Sequence, residues 1–528
     1  RRPPRSTLFP YTTLFRSEAI NCFKKCINLS QKKAGKIFIK SNTQIAEIFI
    51  NSGKPAKAIN LLNSLLKQKL NSEAKAHFYY WLGVAYYNQS DYEKTLSLMN
   101  KAMDIANTHN LENLKREISN ILGNVYLIKG EFTKSLFYYE SAVEKTENVY
   151  IKFPTLTNIV QLYSHSGKFE NAFETLEKAR EMKNSYPTTF FRINFILAET
   201  HLHYMLGDYD YTISLWEDFL KTVKAMNLKY YSYLAYLSIG YCELYKRNFT
   251  KAKQNFELAE LHAVELNETE KIDFEFAKTV LNVKSSPRAK DIEILEKTFL
   301  FFEKYNLAYN TSQSAFQLAA AYPATGKAEK SITFLNKSLS IAEENEYISF
   351  LIAELLYDRT IFDFALFNKI QTDFIFELFS KAFEMKDIKW YDDNYKLKFG
   401  EKLKQCYDFR INFFGEYTII FRGKIIEDDR WLRKVRKNIF AYLYLNRDKH
   451  ITKEILTDKF YPESTPENSD NIFYQLMSNI RGIFKYEIKS GIKTIPVEAI
   501  TYNDKRIEFA KGFLYYSDAE EFEKLYKK

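Results

Sequence analysis

The sequence predicts a mostly α-helical protein, an α-α superhelical solenoid followed by a C-terminal α+β domain. Glycine (15) and proline (11) are scarce in 528 residues, which is typical of a helix-rich chain with few loops. A pattern of small and aromatic residues recurs through roughly the first 400 positions, with intervals near the length of a helical hairpin. From Asp408 onward, short alternating apolar stretches indicate strands instead.

The length and charge of the chain set limits on its organisation. A chain of 528 residues exceeds the usual domain of about 100 to 200 residues, whereas a repeat array can grow because each unit packs only on its neighbours. The formal net charge of +10 permits a polyanionic partner without requiring one. No uninterrupted apolar run reaches the roughly 18 residues that a membrane-spanning helix needs.

Cysteine usage favours a reducing, cytoplasmic environment. The four cysteines are Cys22, Cys26, Cys242 and Cys406. Four are too few for a disulfide framework in a chain of this length. Cys22 and Cys26 would share a helix face, but no further ligands lie near them, so we expect no metal site.

The sequence offers no catalytic constellation. Five Gly-Lys pairs occur, yet none is followed by Ser or Thr and none has a glycine five residues earlier, so no phosphate-binding loop is predicted. His201 and His203 are two apart on a predicted helix and point to different faces. We therefore expect neither enzymatic activity nor a cofactor.

The chain divides into four predicted segments. In the first, Thr7-Leu8-Phe9 and Thr13-Leu14-Phe15 echo each other between prolines and arginines without a helical or strand period, so we interpret this segment as extraneous. The predicted segments are 1–17 (extraneous), 18–400 (helical repeats), 405–516 (α+β domain) and 517–528 (the start of a further helical domain).

The repeats combine small residues, aromatic residues and glycine at defined positions. Small or apolar residues would let two antiparallel helices approach closely, while glycine would permit the tight turn between them. The anchoring positions include Gly83, Gly123, Val160, Gly240 and Ala319, and the turn glycines include Gly53, Gly130, Gly167 and Gly326. This pattern resembles the tetratricopeptide repeat (TPR), with a longer period. The resemblance implies a protein or peptide partner, or a small ligand, on the concave face.

The C-terminal domain has a different element order. Glycine-containing turns at 415–416 and 423–424 separate two strands, Thr452 and Thr465-Pro466 mark helix starts, and Asn503-Asp504 suits a hairpin turn. The predicted elements are strands at Phe409–Phe414 and Tyr417–Ile426, helices at Ile439–Leu445, Thr452–Phe460 and Glu467–Lys485, and a hairpin of Val497–Tyr502 with Arg506–Phe509.

The third of these helices is amphipathic. Its apolar stripe would bury against the domain, and its polar face carries amide and hydroxyl side chains that suit base edges in the major groove. The predicted base contacts are Asn471, Tyr474, Gln475 and Ser478. An ordinary amphipathic surface helix is the alternative interpretation.

Clustered cations near this helix favour DNA binding over the alternative of an ordinary surface helix. No acidic residue occurs between Arg430 and Arg447, and Lys505-Arg506 lies at the hairpin tip. Phosphate contacts supply much of the affinity of DNA-binding proteins. The predicted phosphate contacts are Arg433, Lys434, Arg436, Lys437, Lys485, Lys505 and Arg506.

The C-terminal segment resembles the OmpR/PhoB-type winged helix, as it occurs in bacterial SARP-class activators. The similarity rests on Trp431 and its basic run before Ala441-Tyr442-Leu443, the Tyr461-Pro462 turn, and Asn471-x-Phe473 with Ser478-x-Ile480-Arg481. The resemblance implies double-stranded DNA as a partner, a recognition helix at Glu467–Lys485 and a wing at Val497–Phe509. It also implies a loop at Tyr461–Pro466 that contacts RNA polymerase.

Two functions follow as hypotheses. The first is a cytoplasmic transcriptional regulator whose repeat array senses a partner and whose winged helix binds promoter DNA as a homodimer. The second is an interaction adaptor with a winged helix that does not bind DNA. The weak overall charge of residues 408–528, with 22 basic and 19 acidic residues, keeps the second hypothesis open.

Overall fold

The structure, a computed structural model, describes residues 13–30, 35–144, 146–186, 188–264, 266–385, 388, 390, 393–404, 406–490, 493–503, 505–510 and 513–527. They form two compact units. The first comprises residues 1–321, 334–353 and 388–390; the second comprises residues 322–333, 354–387 and 391–528. The predicted mostly α-helical architecture, a helical solenoid with an α+β region at its C-terminal side, is confirmed.

Helices occupy nearly all of the described chain before residue 405. They are α1 Thr13–Leu29, α2 Lys36–Asn51, α3 Pro55–Leu66, α4 Ser72–Asn88, α5 Tyr92–Thr108, α6 Glu112–Lys129, α7 Phe132–Val143, α8 Val149–His165, α9 Phe169–Ser185, α10 Thr189–Met205, α11 Tyr209–Ala225, α12 Lys229–Tyr245, α13 Phe249–His262, α14 Glu268–Ser285, α15 Ala289–Lys304, α16 Ala308–Ala321, α17 Ala328–Glu344, α18 Ile348–Tyr357, α19 Thr360–Phe367, α20 Thr372–Glu384 and α21 Asp393–Lys404. From α2 to α15, consecutive helices pair into hairpins, and successive hairpins stack.

Small residues sit where the two helices of a hairpin touch. A Cβ atom on Gly123 would lie 2.5 Å from the ring of Tyr139, and one on Gly83 would lie 2.8 Å from the Met99 methyl group. Gly240 meets Phe256 in the same way. The predicted role of these glycines in close helix approach is confirmed.

The turn within most of the hairpins contains a residue with a left-handed backbone. Gly53, Gly130, Gly167, Gly207 and Gly326 all have φ between 70° and 83°. A residue with a Cβ atom pays a steric penalty there, which explains why glycine recurs at this position. In two hairpins the residue with positive φ is Ser90 or Arg247, so this turn also accommodates a side chain, at a cost in stability.

Polar contacts link equivalent positions of neighbouring hairpins. Asn158 donates a 2.8 Å hydrogen bond to Asn124 between α8 and α6. Asn310 donates a 2.8 Å bond to Asp273 between α16 and α14. These pairs lie 34 and 37 residues apart, and each joins the first helices of two successive repeats, which therefore lie side by side.

The structure describes only the end of the segment that was interpreted as extraneous. Residues 1–12 of the segment interpreted as extraneous lie outside the described residues, but Thr13–Ser17 form the first turns of α1. Cys22 and Cys26 are both exposed on this helix.

The second unit contains a mixed sheet, two hairpins and four helices after residue 405 among its described residues. Its strands are β1 Phe409–Asn412, β2 Thr418–Phe421, β3 Lys424–Ile425, β4 Lys485–Ser490, β5 Lys493–Glu498, β6 Ile500–Asn503, β7 Arg506–Phe509 and β8 Tyr515–Ser517. Its helices here are α22 Lys434–Leu445, α23 Lys453–Phe460, α24 Pro466–Ile483 and α25 Asp518–Lys527. The sheet order is β3-β2-β1-β8, antiparallel except for β1 with β8, while β4-β5 and β6-β7 are separate hairpins.

An aromatic core holds these elements together. Phe409 of β1, Phe440 of α22 and Phe484 after α24 are fully buried, with the Phe440 and Phe484 ring centroids 4.5 Å apart. Trp431, 1% exposed, packs on both of these helix-derived rings. Burying large aromatic rings is the main stabilising contribution in such a small domain.

The division between the units does not follow the predicted boundary at 400–405. Arg359, just before α19, forms ion pairs with Asp363 and with Asp408 at the start of β1, the latter at 2.8 Å. Arg422, after β2, contacts the same two aspartates. Residues 354–385 therefore fold together with the α+β domain.

The final helix is also part of this domain. Both carboxylate oxygens of Asp518 accept hydrogen bonds, from the backbone N–H groups of Phe413 and Phe414 at 2.7 and 2.9 Å. Glu520 accepts from Tyr444 and pairs with Arg447 of the α22–α23 connection. Residues 518–527, predicted to begin a further domain, are helical and docked on the module.

Candidate nucleic-acid interface

Helix α24 buries one face and exposes the other. Pro466 occupies its first turn, where a missing N–H costs nothing, and Thr465 precedes it with extended backbone. The Thr465 hydroxyl makes no capping bond, contrary to the predicted cap. The buried face consists of Phe473, Leu476, Met477, Ile480 and Ile483, all within the domain core.

The four predicted base-contact residues lie together on the opposite face. Asn471, Tyr474, Gln475 and Ser478 are all exposed, with Tyr474 at 57%. Their spacing of three, one and three places them in one stripe along the helix. Amide, phenol and hydroxyl groups on one face can hydrogen-bond to another molecule without first breaking a bond within the domain.

The basic run lies beside the C-terminal half of this stripe. Asn479 of α24 donates a 3.2 Å hydrogen bond from its Nδ2 to the backbone oxygen of Arg430. Arg430 closes the 3₁₀ turn Asp428–Trp431, which also packs on α24. Arg433 and Lys434, just beyond, are exposed at the start of α22, and Arg436 is half-buried.

Lys437 does not fit the prediction. Its ammonium donates to the backbone oxygen of Tyr417 at 2.8 Å and pairs with Asp428 at 2.6 Å, and the residue is 9% exposed. A buried, paired lysine is unavailable to a phosphate. Because position 437 is one helical turn from Arg433, the sequence alone could not distinguish this inward-facing cation from its neighbours.

Lys485 lies outside α24, although it was predicted to be the last residue of this helix. The helix ends at Ile483, and Lys485 begins β4, opposite Glu498 in the β4–β5 ladder. The residue remains exposed. The hairpin β4–β5 was not predicted, because the helical period was extended through residue 485.

The predicted wing is only partly a hairpin. Val497 and Glu498 pair back with β4, whereas β6 pairs with β7, from Ile500 opposite Phe509 to Asn503 opposite Arg506. The predicted turn residue Asp504 lies outside the described residues. Lys505 beside it has a φ of 62°, and both Lys505 and Arg506 are exposed.

The β6–β7 hairpin packs against α24. The rings of Tyr502 and Phe473 meet edge-on with centroids 4.8 Å apart. Ile507 donates a backbone hydrogen bond to Ile451, which precedes α23. The pKa of Glu454 in α23 is lowered by hydrogen bonds with its own backbone and with Thr452, and further by the charges of Lys453 and Lys505. The hairpin tip is therefore close to the start of α23.

The described part of the chain contains no group of three or more His, Cys, Asp or Glu that could hold a metal ion. None of the helices in that part is long and apolar enough to span a bilayer.

The first unit has an open groove between α13 and α14, with a volume of 970 Å³. Phe256 and Phe274 line it together with both cationic and anionic side chains. The charged lining residues are Lys253, Glu257, Glu260, Lys271, Glu275 and Lys278. This mixture suits a protein segment more than a small apolar molecule.

Comparisons with known proteins bear on the repeat array. A model of the tetratricopeptide repeat matches residues 76–109 and 153–186. BBSome complex member BBS4 from Bos taurus is 27% identical over 198 residues, which are 37% of this chain. The chain spans about a third of the length of that curated relative, with 33% covered.

Solved structures of helical-repeat proteins are similar to most of the chain. A Rap protein complexed with Competence and Sporulation Factor has a TM-score of 0.51 at 13% identity, covering 66% of this chain and 99% of that one. The apo form of the quorum sensor NprR from B. thuringiensis has a TM-score of 0.45 at 13% identity, covering 62% and 97%. The chain thus has the fold of a helical solenoid, and two of its segments are similar to the tetratricopeptide repeat.

Proposed function

We propose that this protein is a DNA-binding transcriptional regulator. The observation that carries the proposal is the exposed stripe Asn471, Tyr474, Gln475 and Ser478 on a helix whose other face forms the domain core. A helix held in this way can enter the major groove and present amides to adenine.

The exposed cations supply the phosphate contacts in this proposal. Arg433 and Lys434 follow the turn that Asn479 ties to α24, while Lys505 and Arg506 lie at the hairpin tip. Cations at two places around one helix would position it on the duplex, because phosphate contacts fix the orientation of a protein on DNA. Arg436 and Lys485 are secondary candidates, and Lys437 is excluded.

The repeat array acts as the sensor in this proposal. The Rap protein with the similar fold is complexed with Competence and Sporulation Factor, and by analogy this array binds a protein or peptide signal. The groove between α13 and α14 is a candidate binding surface. In this scheme the protein is a cytoplasmic, non-catalytic regulator that binds DNA as a homodimer and contacts RNA polymerase through residues 461–466.

Fluorescence polarisation of the full chain with genomic DNA fragments, including the region upstream of its own gene, tests DNA binding. We expect the affinity to fall at least about ten-fold as salt rises from about 50 to 200 mM. A salt-independent signal, or none at any salt, would refute the proposal.

A second function is favoured by one observation. The stripe on α24 has no cation at positions 471, 474, 475 or 478, and it exposes a tyrosine. Such a surface also suits protein contacts, in which tyrosine is enriched. An adaptor would retain its protein partners after nuclease treatment and would show no affinity for duplex DNA.

A further inference from the structure

A strained, exposed leucine interrupts the basic run. Leu432 has φ 61° and ψ −35°, and the N–H of Arg433 donates to the Trp431 carbonyl across it at 2.6 Å. This is a γ-turn with positive φ, a rare conformation for a residue with a Cβ atom. The side chain of Leu432 is nevertheless 72% exposed.

The surrounding structure enforces this conformation. On one side, Trp431 is buried against Phe440 and Phe484. The carbonyl of Arg430 is held by Asn479. With anchors before it and helix α22 beginning directly after it, the chain must turn sharply at residue 432.

The Leu432 side chain does not stabilise the folded protein by burial. A γ-turn with positive φ is strained for a residue with a Cβ atom, and an exposed side chain offsets little of that strain by burial. Glycine would make the same turn without the penalty. A side chain that strains the monomer and is turned towards solvent suits a contact with another molecule.

Charge indicates which molecule. Arg430, Arg433 and Lys434 flank the leucine and are exposed. Three acids precede it: Asp428 pairs with Lys437, while Glu427 and Asp429 are exposed. The charged residues that follow the leucine, from Arg433 to Arg447, are all cations. The site is also next to the C-terminal half of the α24 stripe, through Asn479. An exposed leucine between cations, next to the proposed recognition helix, suits a contact with a deoxyribose edge or a base step of DNA. The leucine would pack against this apolar surface while the cations bind the phosphates.

We propose that Leu432 is an apolar DNA contact, which rests on the proposed function and adds a residue to it. Residue 432 would pack against the duplex next to the segment that α24 reads. Because sugars are common to all sequences, the contact would strengthen binding to any duplex and would not select the operator.

The test compares two exposed leucines at opposite ends of α22. Leu432→Gly and Leu432→Ala, with Leu445→Ala as the matched control, are titrated as full chains against a labelled random duplex of about 30 base pairs. Leu445 is 48% exposed and lies at the last position of the helix. Thermal unfolding is measured in parallel.

We expect both Leu432 variants to bind about five-fold more weakly, while Leu445→Ala binds like the wild type. Leu432→Gly should unfold at the same or a higher temperature, since it relieves the turn, and Leu432→Met should restore affinity. Unchanged affinity in Leu432→Gly, with salt-dependent binding by the wild type, would overturn this inference alone and leave a protein contact for the leucine. Equal losses in the Leu432→Ala and Leu445→Ala variants would also overturn it. Absence of wild-type binding would overturn the proposed function as well.

Discussion

The phenolic oxygen of Tyr347 donates a 2.7 Å hydrogen bond to the backbone oxygen of Gly130, 217 residues earlier in the chain. The ring of Tyr347 also meets Phe132 edge-on, with centroids 4.9 Å apart. Nearby, Ser349 donates to the carbonyl of Ser164. Late residues of the first unit thus pack onto the hairpin turns of its middle repeats, so these repeats contact more than their sequence neighbours.

Because Tyr347 packs on this turn, replacing Gly130 should destabilise the protein more than replacing an equivalent turn glycine. A Cβ atom at residue 130 would clash with the Tyr347 hydroxyl and lie 2.8 Å from the backbone nitrogen of Tyr309. At Gly207, with nearly the same φ, no atom comes nearer than 3.9 Å. We expect Gly207→Ala to cost about 1–2 kcal/mol and Gly130→Ala about 1–3 kcal/mol more. Urea denaturation followed by circular dichroism would measure both. Equal losses would mean that this packing contributes no stability.

Glu117 should make the array less stable at neutral pH than at mildly acidic pH. Burial, with a smaller contribution from Glu47, raises its pKa from 4.5 to about 7. The favourable, protonated state is therefore fully present below pH 4.5 and is lost as pH rises through about 7. We expect a loss of about 1–3 kcal/mol between pH 5 and 8 after allowing for solvent screening.

Glu117→Gln isolates this effect. The amide cannot ionise, so the variant should be more stable than the wild type at pH 8, with a flatter pH profile by thermal denaturation. Glu112→Gln is the control, because Lys115 lowers the pKa of that exposed carboxyl instead. A profile for Glu117→Gln that parallels the wild type would contradict the assignment.

Arg359 should stabilise the second unit strongly. Its side chain is 13% exposed and pairs with Asp408, which is fully buried, and with Asp363. Removing one partner of a buried ion pair typically costs about 3–5 kcal/mol. Arg359→Met should therefore accelerate amide exchange across β1, measured by mass spectrometry. Lys453→Met, which removes a more exposed pair with Asp470, should change the stability much less, because water screens an exposed ion pair. Comparable effects would argue against the buried network.

The cations of the basic run should differ in what their substitution changes: DNA affinity for some, and stability for Lys437. In the double variant Arg433→Gln with Lys434→Gln, the slope of log DNA affinity against log salt concentration should become shallower by nearly two. The reason is that each phosphate contact contributes about 0.9 to this slope. Lys437→Gln should instead lower the thermal stability, since its ammonium bonds Tyr417 and Asp428 inside the domain. A change in salt slope for Lys437→Gln without loss of stability would reverse this distinction.

Local pattern was sufficient for the recurring features of the fold. The close contacts at Gly123 and Gly240 and the left-handed turns at Gly130 and Gly167 follow from sterics that act within one hairpin. The stripe on α24 was predictable for the same reason, because a period of 3.6 residues separates buried from exposed positions. The hairpin β4–β5 was missed because Lys485 continues the helical period although the chain has already left the helix.

The sequence alone determined the features that depend on residues within about one repeat of each other. These are the paired helices, their turns and the amphipathic face of α24. Tertiary structure decided which cation is buried, where the second unit begins, and how Tyr347 reaches Gly130. The physical reason is distance along the chain. Helix periodicity and turn sterics act over a few residues, whereas ion pairs such as Arg359 with Asp408 join positions whose proximity no local pattern encodes.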